Sequence, residues 1–306
     1  MNVLSLFDGL SCGMIALERA CIPVINYFAS EIDKYAIKVS EKNYPNIIRL
    51  GDVTKVTYKE GVLYSENGQW NVGKIDLVLA GSPCQGFSLA GKQLAFNDER
   101  SKLYFEFERI LKEVNPKHFL LENVKMKQEY KDFISERLGV TPVAINSKVV
   151  SAQSRGREYW TNISFTQPVN KCITVKDVLD NYSGNAISAD DTTKQLNTLL
   201  STSKYSDNYS WCYDTLGRIL VTRPDGLKIQ RIGRIAFGQH QTEIVTCVTT
   251  PYVFDGKIIR KVTPEECEKL QTVPVGYTSC VSDSQRYKML GNGWTVDVIA
   301  HILREM

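Results

Sequence analysis

The sequence lacks any pairing or clustering of its cysteines. The eight cysteines are Cys12, Cys21, Cys84, Cys172, Cys212, Cys247, Cys267 and Cys280. They form no CxxC pair and no Cys/His group at zinc-ligand spacing, so we expect neither a disulfide framework nor a bound metal. Scattered cysteines of this kind are typical of a reducing cytoplasm, where most act as small buried hydrophobic residues.

The sequence also lacks a long apolar run and a strong excess of charge. No segment approaches the roughly 20 apolar residues of a membrane helix, and residues 1–13 show neither a basic leader nor a signal-peptide pattern. The 37 basic and 34 acidic side chains leave a net charge of +3 over 306 residues. The overall charge therefore does not indicate a nucleic-acid partner, and any DNA-binding surface must gather its basic residues on one face.

Strand-like and helix-like segments alternate through the first half of the chain. The strand-like segments are residues 2–7, 23–29, 47–50, 76–80 and 118–121, and the helix-like segments are residues 14–20, 32–43 and 100–114. This alternation predicts an α/β fold with a doubly wound, mostly parallel sheet. In such sheets ligands bind at the carboxyl ends of the strands.

The composition and the periodicity of the sequence change after residue 163, which suggests a second and smaller domain. Residues 180–209 are rich in Ser, Thr, Asn and Asp, and residues 217–250 alternate short β-type runs with turns. Helical patterns return at 264–270 and at about 294–304. We predict one domain from residues 1–163 and 259–306, and a smaller, irregular β-rich domain at 164–258.

The motif that most strongly indicates chemistry is Gly81-Ser82-Pro83-Cys84-Gln85-Gly86-Phe87-Ser88, directly after a predicted strand. Pro83 stiffens the approach to Cys84, and the two glycines let the backbone approach a planar ligand. A thiol on such a loop is positioned to attack a substrate. The alternative is a structural loop cysteine.

Two further motifs follow predicted strands. Leu120-Leu121-Glu122-Asn123-Val124 places a carboxylate at a strand end, and Gln153-Ser154-Arg155-Gly156-Arg157 carries two arginines in alternation. Alternating residues of an extended chain point the same way, which suits a phosphate or a carbonyl group of a base. A solvated Glu and a solvated basic strand are the alternatives.

Residues near the first three strands suggest a nucleoside-like ligand. The turn from Phe7 to Gly13 joins the first strand to the first helix, and Glu31 and Asp52 follow the next two strands. A carboxylate after the second strand is placed to bind ribose hydroxyls, which indicates an adenosine-bearing cofactor. The turn has neither the GxGxxG pattern nor a Walker lysine, so it gives no sign of phosphate binding. Ordinary turns remain the alternative, as does a helix cap for Asn292 near the C-terminus.

Together these motifs resemble the DNA cytosine-5 methyltransferase family, bacterial or phage type, from Phe7 to Val296. The Cys84 motif, Glu122-Asn123-Val124 and Gln153-x-Arg155-x-Arg157 match family motifs in the family's order. The segment from Arg260 to Gln271 is similar to the Arg and Leu-Thr-Pro-x-Glu…Leu-Gln motif, and Gly291-Asn292 begins the last one.

The resemblance implies a Rossmann-like methyltransferase sheet, double-stranded DNA as the partner and S-adenosylmethionine as the cofactor, with S-adenosylhomocysteine as its product. It implies a cytosine swung out of the duplex, attacked by the Cys84 thiolate at carbon 6, and methylated at carbon 5. Glu122 would act at ring nitrogen 3, Arg157 at the carbonyl oxygen, and Arg155 would support the site or a phosphate. The β-rich domain would recognise the target sequence. We expect a monomer in the cytoplasm of a bacterial cell or a phage-infected host, with a restriction-modification role.

The resemblance assigns the remaining candidates by position. Those for cofactor binding are Phe7, Asp8, Gly9, Ser11, Gly13, Glu31, Ile32, Asp52, Val53, Pro83, Asn292 and Trp294. Those for substrate binding are Gln85, Ser88, Asn123, Gln153, Arg231 and Arg234. Candidate DNA contacts in the β-rich domain are Lys204, Tyr205, Tyr209, Trp211, Arg218, Arg223, Lys228, Arg231 and Arg234.

The first motif departs from the family pattern. Ser11 and Cys12 occupy places where the family has glycines, so the match of this motif to the family's cofactor contacts rests on Phe7 and Gly9. Ile32 stands where the family often has an aromatic residue against the adenine, which would replace stacking by aliphatic packing.

Three other functions are weighed against this one. A tRNA cytosine-5 methyltransferase would share the catalytic core, but Gln85-Gly86-Phe87-Ser88 and the sizeable variable domain favour DNA. A catalytically inactive DNA-binding relative is disfavoured by the intact Cys84, Glu122 and arginine pair. A nicotinamide-dependent dehydrogenase is disfavoured because this sequence lacks the phosphate-binding glycine pattern of such enzymes.

Overall fold

The computed structural model describes residues 1–82, 99–173, 175–178 and 262–306, and five strands between residues 210 and 261. The described helices are α1 (Cys12–Arg19), α2 (Lys34–Asn43), α3 (Glu99–Val114), α4 (Gln128–Leu138), α5 (Val175–Val178), α6 (Pro264–Leu270), α7 (Asp283–Asn292) and α8 (Val296–Leu303).

The strands form three sheets. The first contains β1 (Asn2–Leu6), β2 (Asn26–Ser30), β3 (Ile48–Gly51), β7 (Leu77–Ala80), β8 (His118–Val124), β9 (Val143–Asn146) and β10 (Gly156–Thr161). The second contains β4 (Thr57–Lys59), β5 (Val62–Ser65) and β6 (Gly68–Asn71). The third contains β11 (Ser210–Tyr213), β12 (Arg218–Thr222), β13 (Ile229–Ala236), β14 (Tyr252–Phe254) and β15 (Ile259–Lys261).

The large sheet has the strand order β3-β2-β1-β7-β8-β10-β9. Its first five strands are parallel, and β10 runs antiparallel to both of its neighbours. The chain builds outward from β1 to β3 and then restarts at β7 on the other side of β1. The gap between β1 and β7 is therefore a topological switch point, where open α/β sheets bind ligands. The predicted doubly wound α/β fold is confirmed.

Alternation along the strands divides the core between the two faces of this sheet. Val3, Leu79 and Leu120 belong to the cluster that includes Ile15 of α1 and Ile299 of α8. Their neighbours in sequence belong instead to the cluster that includes α3 and α4: these are Leu4, Ala80 and Leu121. Helices thus cover both faces, which is why the strands read as continuous apolar runs.

The small second sheet is an antiparallel insertion between β3 and β7. The sequence analysis identified no strand in residues 57–71. Leu63 of β5 is fully buried, and the Trp70 ring of β6 meets the Phe28 ring of β2 edge-on with 6.1 Å between centroids. Contacts with the large sheet therefore stabilise strands that are too short to stand out in the sequence.

The third sheet has the order β11-β12-β13-β14-β15, and its first four strands lie within the predicted β-rich domain. Its strand pairs are antiparallel except for β13 with β14. In the register of β12 and β13, Arg234 lies opposite Arg218 and Arg231 opposite Leu220. Because β15 pairs with β14, this sheet continues to Lys261, past the predicted domain boundary at residue 258.

The C-terminal helices are held together by a buried ion pair. Arg286 of α7 lies 3.3 Å from Glu268 of α6, whose carboxylate is fully buried and also accepts bonds from the backbone N–H groups of Gly276 and Thr278. Thr263 and Glu266 form a capping box at the start of α6, which begins at Pro264 as predicted.

We expect Arg286→Leu to lower the free energy of unfolding by about 3–5 kcal/mol, because Glu268 would keep a buried charge without its cation. Urea unfolding followed by circular dichroism measures the change. Lys288→Ala is the control, since its pair with Asp33 leaves the lysine side chain 56% exposed, and such pairs contribute at most about 1 kcal/mol. Equal losses in both variants would contradict the prediction.

Among the described residues, no helix is both long enough and apolar enough to cross a membrane.

Candidate active site

The carboxyl ends of β1, β2, β7 and β8 lie at one edge of the large sheet. Leu6 of β1 pairs with Ser30 of β2 and with Ala80 of β7, and Ala80 pairs with Leu121 of β8. Each predicted motif that follows one of these strands therefore begins at the same edge. The register brings the start of the Cys84 segment, the Glu122 strand end and the cofactor turns into one region.

The turn after β1 has an unusual backbone. Phe7, Gly9 and Ser11 have φ angles of 58°, 58° and 62°, a left-handed conformation that only glycine adopts without cost. The Gly9 N–H donates to Glu31 Oε2 at 2.8 Å, which ties this turn to the end of β2. A Cβ added at Gly9 would meet no atom within 4 Å, so open space lies beside this glycine.

Asp8 points beneath the turn instead of toward that open space. Its carboxylate accepts bonds from the Ser11 hydroxyl at 2.5 Å and the Tyr27 hydroxyl at 2.8 Å, and lies 3.7 Å from Arg49. Burial raises the pKa of the Asp8 carboxyl, against the lowering effect of these hydrogen bonds and of the Arg49 charge. Ser11 is fully buried and also contacts the Ser40 hydroxyl. The side chains of Asp8 and Ser11 therefore hold the turn from below.

Gly13 and Trp294 lie at two places where the chain packs closely. A Cβ at Gly13 would lie 2.6 Å from the Tyr27 hydroxyl oxygen, and one at Gly81 would lie 2.7 Å from Trp294 Nε1. The Trp294 ring therefore covers the backbone at the start of the Cys84 segment, and Trp294 itself is buried. These two predicted cofactor residues shape the floor of the site by packing.

Glu31, Ile32, Asp52 and Val53 form the predicted adenosine side. Glu31 Oε1 accepts the N–H groups of Ile32 and Asp33, both at 2.8 Å, which fixes the carboxylate at the end of β2. The Ile32 side chain is 74% exposed, while Val53 is buried. An exposed apolar side chain beside an oriented carboxylate fits a nucleoside, because the base has flat apolar faces and the ribose donates hydrogen bonds.

Glu122 and Arg157 form an ion pair at the end of β8. Arg157 Nε lies 2.9 Å from Glu122 Oε1, and their side chains are 18% and 11% exposed. Glu122 stands opposite Tyr159 in the register between β8 and β10, so adjacent strands place the pair. Asn123, beside Glu122, donates to the Ser82 hydroxyl at 3.2 Å and so connects β8 to the segment that leads to Cys84.

The two arginines of the Gln153–Arg157 motif have different partners, although the sequence predicted that they point the same way. Arg155 donates to the carbonyl oxygens of Gly291 and Gly293 at 3.1 and 2.9 Å. Gln153 is fully buried and donates to the Leu270 carbonyl oxygen at 2.9 Å. The described contacts of Arg155 and Gln153 therefore hold the C-terminal segment.

Asn292 ends α7 between the two carbonyl groups that Arg155 binds, and its side chain is exposed. Arg155 thus orients the segment that carries the predicted cofactor residue. Pro83, Cys84, Gln85 and Ser88 lie outside the described residues. Arg231 and Arg234 lie on β13, for which the structure describes only the backbone.

Two residues near the site escaped the sequence analysis. Arg49 donates to the Ser40 hydroxyl at 2.5 Å and completes the polar network under Asp8. Glu66, from the turn between β5 and β6, accepts the Asp52 N–H at 2.8 Å. The position of Arg49 inside an apolar strand could have indicated its role. No local pattern in the sequence marks Glu66.

Buried thiols in this region are poor nucleophiles. Cys12 donates to the Trp294 carbonyl oxygen at 3.7 Å, and burial raises the pKa of Cys12 to about 12. Burial raises the pKa of Cys267 to about 12 as well. Because the thiolate is the reactive form, neither residue offers an alternative nucleophile at neutral pH.

The strand-end edge, the oriented Glu31 carboxylate and the Glu122–Arg157 pair define an α/β protein with polar side chains gathered at the switch point of its large sheet. A family model described as C-5 cytosine-specific DNA methylase matches residues 1–134 and 142–306. The chain belongs to this family, and it is a DNA cytosine-5 methyltransferase.

Curated relatives align along almost the entire chain. The Type II methyltransferase M1.ScrFI of Lactococcus lactis subsp. cremoris is 31% identical over 322 residues, covering 100% of this chain and 77% of the relative. The Type II methyltransferase M.HhaI of Haemophilus parahaemolyticus is 27% identical over 331 residues, covering 99% of this chain and 93% of the relative.

Solved structures share the fold at lower identity. The Entamoeba histolytica methyltransferase EhMeth superposes with a TM-score of 0.64 at 18% identity, covering 99% of this chain and 96% of that one. The S. pombe methyltransferase Dnmt2 superposes with a TM-score of 0.61 at 15% identity, covering 99% and 97%.

Proposed function

We propose that this enzyme methylates carbon 5 of a cytosine flipped out of duplex DNA, with S-adenosylmethionine as the donor and Cys84 as the nucleophile. The observation that carries the proposal is the Glu122–Arg157 pair, which lies one strand away from β7, whose end leads directly to Cys84. A buried carboxylate fixed by a guanidinium suits recognition of a base that offers a ring nitrogen, an amino group and a carbonyl oxygen.

Each protein group has a defined part in the reaction. The Cys84 thiolate adds to carbon 6 of the cytosine, which makes carbon 5 nucleophilic. Glu122 donates a proton or hydrogen bond to nitrogen 3 and holds the amino group, while Arg157 binds the carbonyl oxygen. S-adenosylmethionine, when bound, supplies an electrophilic methyl group. The methyl transfer would leave S-adenosylhomocysteine. Loss of the carbon-5 proton to water, with expulsion of the Cys84 thiolate from carbon 6, then restores the aromatic ring and releases 5-methylcytosine.

The donor would bind at the edge formed by β1, β2 and β3. Glu31 would accept the ribose hydroxyls, with Asp52 and Val53 at the adenine edge and the exposed Ile32 against its face. Phe7 and Gly9 would line the methionine part, and Asn292 would close the site from α7. Asp8, Ser11, Gly13 and Trp294 would shape these contacts from below, as their buried contacts suggest.

The β-rich region would supply target recognition. Arg231 and Arg234 of β13 suit phosphate or base-edge contacts, and Asn123, Gln85 and Ser88 would support the base or its strand near Cys84. The Type II names of the relatives support a modification role beside a restriction enzyme in the cytoplasm.

The test measures methyl transfer and then maps the methylated positions in the DNA. Purified protein is incubated with tritiated S-adenosylmethionine and either duplex DNA or tRNA, and the DNA is then sequenced after bisulfite conversion. We expect label in DNA and protected cytosines at one recurring sequence. Label found only in tRNA would overturn the substrate, and label in DNA without protected cytosines would overturn the position of methylation.

A further inference from the structure

The β5–β6 hairpin of the small second sheet reaches the predicted adenosine side of the donor site. Its tip is the Glu66–Asn67 turn, between the paired residues Ser65 and Gly68. This hairpin belongs to the insertion that the sequence analysis did not identify, and both tip residues are exposed at the surface. Nothing in the proposed chemistry at Cys84 uses them.

Both tip residues bind the backbone at the end of β3. Glu66 Oε1 accepts the Asp52 N–H at 2.8 Å, and Asn67 Nδ2 donates to the Arg49 carbonyl oxygen at 3.0 Å. The Glu66 side chain lies directly over Gly51, where an added Cβ would fall 2.0 Å from Glu66 Oε1. Gly51 has a φ of 79°, so its backbone and its missing side chain both suit this close approach.

The hairpin is anchored at its base, so its tip is held in place. The Trp70 ring packs edge-on against Phe28, the residue two before Ser30 at the end of β2. On the other side, Arg109 of α3 donates to the Val56 carbonyl oxygen at 2.8 Å, and Glu113 accepts the Tyr58 N–H at 2.9 Å. The insertion therefore bridges α3 and the end of β3.

The bound turn is also fixed from its other side. The Ser30 hydroxyl donates to the Gly51 carbonyl oxygen at 2.7 Å, and Asp52 Oδ1 accepts the Thr54 N–H at 2.9 Å. With the Glu66 bond in place, three hydrogen bonds orient the peptide groups and carboxylate of this turn. Removal of Glu66 would leave Asp52 attached only through its own short helical turn and through Gly51.

We propose that Glu66 and Asn67 are positioning residues that hold the Gly51–Val53 turn ready for the adenosine part of the donor. This rests on the proposed function, in which Asp52 and Val53 contact the adenine. The pair sets the affinity for the donor and leaves the chemical step at Cys84 unchanged. A preorganised turn binds more tightly because less ordering is required when the ligand arrives.

The test measures S-adenosylhomocysteine binding by calorimetry in the full chain, together with methyl transfer. We expect Glu66→Ala to raise the Kd by about threefold to tenfold, the size expected for losing one hydrogen bond of ordinary net strength. We expect kcat at saturating donor to stay within about twofold of the unaltered protein. Glu66→Gln keeps an acceptor oxygen and should recover most of the affinity.

Gln69→Ala is the matched control, because Gln69 is an exposed residue of β6 in the same hairpin. Hydrogen exchange of the amides of residues 51–55 gives a second readout, and we expect faster exchange in Glu66→Ala without ligand. Unchanged affinity and exchange in a Glu66→Ala/Asn67→Ala variant would overturn the proposal, as would equal losses in Gln69→Ala. No binding by the unaltered protein would instead count against the proposed donor.

Discussion

Cys84→Ser protein is expected to transfer no measurable methyl group to duplex DNA, while it binds S-adenosylhomocysteine as the unaltered protein does. A serine hydroxyl is almost entirely protonated at neutral pH, so it cannot replace the thiolate in attacking carbon 6. The proposed donor site lies at the ends of β1, β2 and β3, whose pairing the substitution leaves intact. Tritium transfer measures the first expectation and calorimetry the second.

Cys21→Ser is the matched control, since Cys21 is an exposed free cysteine that follows α1. We expect it to keep full activity. An active Cys84→Ser enzyme would refute the nucleophile assignment, even if the rest of the proposed function held. A protein that had lost donor binding as well would indicate that Cys84 serves the fold of its segment.

Glu122→Gln is expected to lower kcat by roughly 10²–10⁴-fold, the range for losing a positioned acid or base. The substitution removes the ion pair, so we expect a lower unfolding temperature, while the glutamine side chain can still accept the bond from Arg157 Nε. It can no longer protonate nitrogen 3 of the cytosine. Single-turnover methyl transfer at saturating DNA measures the chemical step, and thermal unfolding checks the fold.

Glu106→Gln provides the comparison for this substitution. Glu106 pairs with Arg109 at 2.7 Å and has a side chain that is 29% exposed, but it lies on α3 instead of the strand-end edge. We expect nearly unchanged activity. A similar fall in kcat for both variants would show that Glu122 contributes through general electrostatics and does not act as an acid.

The five parallel strands of the large sheet and helices α1, α2 and α3 could be predicted because each has a local signal. Helix α6 begins at Pro264 as predicted, since Thr263 and Glu266 form a capping box that the sequence alone encodes. Strand ends were shifted: the strand predicted at 23–29 is Asn26–Ser30, because pairing with β1 selects the extended residues.

The hairpin of residues 57–71 could not be predicted in the same way. Its strands are three or four residues long and mostly polar, so alternation gives almost no signal. Leu63 is buried, and Trp70 is partly buried, in a cluster that also contains residues of β2 and α3. Such strands depend on the tertiary structure for their stability.

In the candidate site, too, the sequence predicted some features and not others. The motif positions at the ends of β1, β2 and β8 were correctly placed at one sheet edge, since parallel strands align their carboxyl ends. The directions of the side chains were not predictable. Arg155 and Arg157 are two residues apart, yet one binds the carbonyl groups around Asn292 and the other binds Glu122.

The sequence by itself determined the α/β class, the family, and which residue types stand at strand ends, because hydrophobic periodicity and short motifs are local properties. Only the tertiary structure decided which of those residues face the open edge and which lie beneath it. Asp8, Ser11 and Gln153 turned out to be buried supports, since their partners come from distant segments: Tyr27, Arg49, Ser40 and Leu270. The physical reason is that a side chain's direction is fixed by packing and hydrogen bonds between segments, which no local pattern records.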